Sequence, residues 1–114
     1  LFFRKDGSIW TIDYSRIPWG DPGIDVGWWL SQYLWFYHET GNQYFKTMGD
    51  KFVELYISKT NDREITQTVA LTLGLMNIIF ISPRFYPNLD MKVGRSFFDN
   101  VVEILKNGNF LWTK

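Results

Sequence analysis

From Asp25 to Gly108 the apolar residues of this chain recur three and four apart, and the recurrence breaks only around Gly41-Asn42, at Asn61 and between Pro83 and Asp90. That is the period of an α-helix with one face turned inward, so the stretch reads as about four helices. Everything else the chain can fold into is fitted around them.

The first helix spans about Asp25 to His38 and is closed by Gly41. Its polar residues Asp25, Ser31, Gln32, His38 and Glu39 fall on one narrow stripe. Val26, Trp28, Trp29, Leu30, Tyr33, Leu34, Trp35, Phe36 and Tyr37 wrap the rest, which predicts a central and largely buried helix. Asn42 is placed to cap a second helix, from Gln43 to about Lys59. In it Phe45, Met48, Phe52, Leu55 and Tyr56 recur while Lys46, Asp50, Lys51 and Glu54 face water, so it is amphipathic and peripheral.

A third helix is expected to start at Asn61, with Glu64 three residues on as in a capping box. It runs through Ile65, Val69, Leu73, Met76 and Phe80 to Ser82, where Pro83 excludes the α conformation, and its second half is apolar all round. Asp90 caps the last helix, which carries Gly94, Phe97, Phe98, Val101, Val102 and Leu105 and is closed by Gly108. The connections are short, as between antiparallel neighbours.

Ahead of the helices, Leu1 to Phe3 and Ser8 to Asp13 are β-prone runs joined by Arg4-Lys5-Asp6-Gly7, whose Asp-Gly suits a tight turn. The fold class expected is therefore mainly α with a short N-terminal β-hairpin. A length of 114 residues fits one domain, residues 1–114: a hairpin over 1–13, a loop over 14–24 and a helical part over 25–114.

Composition narrows the function. Twelve basic and 12 acidic residues are mixed along the chain, so no basic stripe is available to nucleic acid. No apolar run reaches the roughly 20 residues of a membrane span. There is no cysteine, which removes thiolate metal sites and disulfides and fits a cytoplasmic setting. Leu1-Phe2-Phe3 is already strand-like, which suggests a fragment of a longer chain.

Chemistry is most expected in residues 12–25, Ile-Asp-Tyr-Ser-Arg-Ile-Pro-Trp-Gly-Asp-Pro-Gly-Ile-Asp, where acids gather at a break in structure. Asp13 ends an apolar run and is placed as a hard-cation ligand, since Mg²⁺ is often held by one or two carboxylates plus substrate phosphates. Asp21, between Gly20 and Pro22, suits bonding to the amides of its own turn. Asp25 stands where a helix N-terminus wants a carboxylate. Tyr14 and Trp19 flank Asp13 and are candidates for lining a pocket. His38, the one histidine, and the Trp28-Trp29 and Trp35 cluster are read as helix-end and core residues, with no chemical role.

Ile12-Asp13-Tyr14, Gly20-Asp21-Pro22 and Asp25-Val26-Gly27 together resemble the aminoglycoside phosphotransferase family, the small-molecule branch of the protein-kinase-like fold that includes choline kinases. The resemblance is carried by residues 1–38. It implies the C-terminal lobe of an ATP-dependent kinase acting on a hydroxyl of an aminoglycoside-, sugar- or choline-like acceptor. It also implies Mg²⁺ on Asp13, with Asp21 and Asp25 bracing the loop. The family's His-Gly-Asp catalytic loop and nucleotide-gripping N-terminal lobe would precede Leu1, so the chain alone is expected to be inactive and to hold no ATP or Mg²⁺ tightly. Two other readings are a non-catalytic helical interaction module and a nucleotide-binding pseudokinase relic.

Overall fold

A computed structural model describes residues 2–10, 20–108 and 110. Among them are two strands, β1 (Phe2–Phe3) and β2 (Ile9–Trp10), and four helices: α1 (Gly23–Thr40), α2 (Gln43–Thr60), α3 (Ile65–Phe80) and α4 (Met91–Asn107). The described fold is mainly helical, and none of these helices is long and apolar enough to cross a membrane.

Residues 1 and 11–13 of the expected hairpin lie outside the described residues, and what is described is one short antiparallel pair. Antiparallel pairing covers only Phe2 with Trp10 and Phe3 with Ile9, so the hairpin expected over residues 1–13 makes no β layer among the described residues. The turn between the strands is local chemistry: Gly7 adopts φ 83°, and the Asp6 carboxylate accepts both the Ser8 amide at 2.9 Å and the Ser8 hydroxyl at 2.7 Å. Two residues on each strand are too few to be stable in isolation.

Helix ends follow side-chain chemistry. The Asn42 side chain accepts the Tyr44 amide at 2.9 Å and opens α2; Asp90 accepts the Lys92 amide at 2.8 Å and opens α4. Gly41 and Gly108 close α1 and α4 in the left-handed conformation, at φ 68° and 62°. Asn61 is a correction. It closes α2 at φ 57°, donating its amide to the Ile57 carbonyl at 2.8 Å, because Asn tolerates the left-handed region that most side chains avoid. The opening bond of α3 falls instead to Asp62, whose carboxylate accepts the Ile65 amide at 3.2 Å.

The seam between α1 and α3 organises the interior. Thr68 faces Gly23, Thr72 faces Gly27, and Trp35 stacks on Phe80 with ring centroids 5.2 Å apart. Each pair is offset by 45 residues, so the two helices run parallel and α2 returns the chain between them. A Cβ on Gly23 would sit 2.5 Å from the Thr68 Cβ, and one on Gly27 2.6 Å from the Thr72 Cβ. Glycine is what lets the backbones approach so closely.

One flank of the seam is the core: Val26, Leu30, Leu34, Val69 and Leu73, continued by Phe97, Val101 and Ile104 of α4. Helix α4 lies antiparallel on α3, with Leu105 over Gly74 near one end and Phe97 edge-on to Phe80 near the other. Helix α1 is central, packing on α2, α3 and α4, yet it is less buried than its composition suggests. Ile24, Trp28, Trp29 and Phe36 are exposed, while Ser31, placed on the polar stripe, is fully buried and donates its hydroxyl to the Trp28 carbonyl at 2.6 Å. Helix α2 is peripheral, burying only Gly49 and Val53.

Candidate functional site

The chain enters α1 through Gly20-Asp21-Pro22. Proline suits this position because the first amides of a helix have no intrahelical acceptor. The Asp21 carbonyl accepts the Ile24 amide at 3.1 Å and the Pro22 carbonyl the Val26 amide at 3.0 Å, which starts the helix.

The Asp21 carboxylate does two things at once. Its Oδ1 accepts the Gly23 amide at 2.8 Å, and its Oδ2 accepts the Thr68 hydroxyl at 2.7 Å. One oxygen therefore caps α1 while the other ties that end to the first turns of α3. The Thr68 hydroxyl, and after it the Gly23 amide, hold the Asp21 carboxyl below the usual 3.8. Both oxygens are engaged, so Asp21 is built as an anchor.

Asp25 was expected to cap this helix and does not. It lies exposed in the first turn of α1, and its carboxylate accepts no hydrogen bond among the described residues. The physical reason is its place: the capping amide is already taken by Asp21, two residues before the helix begins. What is left to Asp25 is the favourable field of the helix N-terminus. Asp13, Tyr14 and Trp19 lie outside the described residues.

Asp21, Asp62 and Glu64 line a shallow recess of about 360 Å³ with Pro22, Ile65, Gln67 and Thr68, where the starts of α1 and α3 meet. Among the described residues no three carboxylate or imidazole groups converge as a metal site.

A larger cavity, about 570 Å³, opens at the far end of α1, between Trp35, Phe36 and Glu39 and the segment from Phe85 to Asp90. At about 1.5 Å of rise per residue it is some 20 Å along α1 from Asp21, and so separate from the turn. Trp35 forms its floor, stacked on Phe80 and edge-on to Phe97.

His38 lies in the last turn of α1, as the sequence suggests, and has a structural task there. Its Nδ1 lies 2.7 Å from the Ser96 hydroxyl and its Nε2 3.1 Å from Asn100 Oδ1, so it pins α1 to α4. Only the Nε2–H tautomer satisfies both bonds, since the Asn100 oxygen can only accept and the Ser96 hydroxyl can donate to Nδ1. Burial pushes the imidazole below its usual 6.5, with the Asn100 bond pulling weakly the other way. The polar pair Ser96 and Asn100, four apart on either side of apolar Phe97, was the available signal. Gly23, Gly27 and Ser31, at the same four-residue spacing as Thr68 and Thr72, were the signal for the seam.

The chain matches no protein-family model, no curated protein and no solved structure. Its functional reading therefore stands on the geometry of this turn and the residues that frame it.

Proposed function

We propose that the chain is the C-terminal helical part of an ATP-dependent small-molecule kinase of the cytoplasm, resembling aminoglycoside phosphotransferases and choline kinases. It would transfer a phosphoryl group to a hydroxyl of an aminoglycoside-, sugar- or choline-like acceptor. The observation that carries the reading is the double engagement of Asp21. Phosphoryl transfer is catalysed mainly by positioning and charge neutralisation, and a short segment bearing a metal carboxylate needs a fixed end. Asp21 supplies one, bonded to the Gly23 amide and the Thr68 hydroxyl eight residues after Asp13.

In this reading Asp13 holds Mg²⁺, which when bound neutralises charge on the phosphates of ATP. Asp21 is a positioning residue, and Tyr14 and Trp19 line the acceptor side. The groups that orient the attacking hydroxyl and grip the nucleotide belong to a lobe preceding Leu1, so the chain by itself transfers no phosphate. The test is the polypeptide that joins this chain to that lobe. There Asp13→Ala should abolish Mg²⁺-dependent transfer of label from γ-labelled ATP while circular dichroism and the thermal midpoint hold. Near-normal turnover in that variant would sink the assignment.

A further inference from the structure

The seam between α1 and α3 has two flanks, and only one is covered. When two parallel helices touch, the residue after a contact on one helix lies on the same side as the residue before a contact on the other. With contacts at Gly23 and Thr68 and at Gly27 and Thr72, Ile24 and Trp28 of α1 therefore share a flank with Leu71, Leu75 and Ile78 of α3. The opposite flank is the buried core. This one is in water: Ile24 is 52% exposed, Trp28 49%, Leu71 66%, Leu75 63% and Ile78 67%.

The surface is unlike the other outward faces of the molecule. Helix α2 presents Lys51, Glu54 and Lys59 to solvent and α4 presents Lys92, Arg95, Asp99, Glu103 and Lys106, all exposed. Between Glu64 and Arg84 there is no charged residue at all. Charges on an outward face are the usual protection against association, and α3 offers none to this face, whose α1 side is bordered by the exposed Asp25.

The geometry points to a second copy of this chain as the occupant, docked across a two-fold axis with α3 antiparallel to its counterpart. The five residues expose roughly 600 Å² per copy, so a pair that covered this patch completely would bury at most about 1,200 Å², the lower limit of a specific interface. A two-fold contact places the same patch on both sides and so needs self-complementarity. An uncharged ridge of Leu and Ile meets that requirement, since no like charges are brought together. The antiparallel crossing also sets the two helix dipoles side by side in opposite directions, which is the favourable arrangement. The inference uses neither Asp13 nor Asp21, but on the kinase reading the lobe preceding Leu1 is a rival occupant of this face, so loss of the dimer once that lobe is joined would overturn it.

Sedimentation equilibrium on the chain should give a dimer, and the double variant L71E/L75E should raise the dissociation constant at least about tenfold. Leu55→Glu, on an α2 residue that is 61% exposed and off the patch, should leave it unchanged. Because the chain has no cysteine, Leu75→Cys offers a second readout that leaves the core intact: mild oxidation should cross-link it far faster than Leu55→Cys. A chain that stays monomeric at about 0.1 mM, a concentration that would populate any pair with a Kd in the micromolar range, would overturn the proposal. So would a dimer indifferent to L71E/L75E, an open-ended aggregate, or equal cross-linking at the two cysteines.

Discussion

Asp21 and Asp25 stand four residues apart in one motif, and only the first is bonded. Asp21→Ala removes the acceptor of the Gly23 amide and should cost about 1 kcal/mol in urea denaturation, the usual worth of an N-terminal cap. Asp25→Ala gives up only an exposed charge in the field of a helix end, worth about 0.3 kcal/mol. Equal losses would refute the division of labour. His38 gives the molecule a pH signature whose sign is fixed by its environment. The folded pKa lies below 6.5 because the ring is half buried against Phe97 and Tyr37, with Ser96 and Asn100 as its polar neighbours. The unfolded chain therefore takes up the proton first. The stability this contributes is complete above about pH 6.5 and is lost as pH falls through the lower folded value. The thermal midpoint should drop between about pH 7 and pH 5.5, and His38→Gln should flatten that drop. A midpoint that rises on acidification over this window would mean that the ring is stabilised in its charged form.

At the scale of elements, the glycines of α1 decide how close α3 can come. Alanine is favoured over glycine inside a helix by about 1 kcal/mol, so Gly27→Ala would stabilise an isolated helix. Here the added Cβ meets the Thr72 Cβ at 2.6 Å, an atom rooted in the α3 backbone that cannot turn aside. The helices must separate, and overpacking of this kind costs roughly 1–3 kcal/mol. Gly27→Ala is expected to lower the thermal midpoint while Gly74→Ala does not, because a Cβ at Gly74 meets the end of the Leu105 side chain at 3.1 Å, and that partly exposed chain can move. If both variants are equally tolerated, the seam is looser than described. The ends of the helices were legible beforehand, since Asn42, Asp90, Gly41 and Gly108 each act through a bond to their own neighbours. The seam was not, because Gly23 and Gly27 have meaning only against Thr68 and Thr72, more than 40 residues away. Asn61 misled for a related reason: the same residue suits the start of one helix and the end of another, and Ile57 settled which.

For the whole molecule, periodicity marked which residues are apolar but not which apolar faces are covered. The second half of α3 is apolar all round and α1 nearly so, and both leave large side chains in water, because coverage depends on the number of neighbours and not on the pattern along one helix. Of the candidate site, Asp21 could be read as a turn residue from its flanking Gly and Pro, whereas its bond to Thr68 joins segments 47 positions apart and left no local trace. The same unevenness of coverage should govern dynamics. Helix α2 makes its one extensive contact with α1 and buries only Gly49 and Val53, whereas α3 packs on both α1 and α4 and buries eight residues. Segments with few buried apolar contacts open locally at lower cost than the global unfolding free energy. Amides in the middle of α2 should therefore exchange with solvent well before those of Leu73 and Met76 in α3, and their rates should be insensitive to Gly27→Ala, which perturbs the seam and not the α1–α2 contact. If α2 instead exchanges together with α3 and shares its sensitivity to that substitution, the four helices form one cooperative unit and the peripheral place of α2 has no energetic consequence.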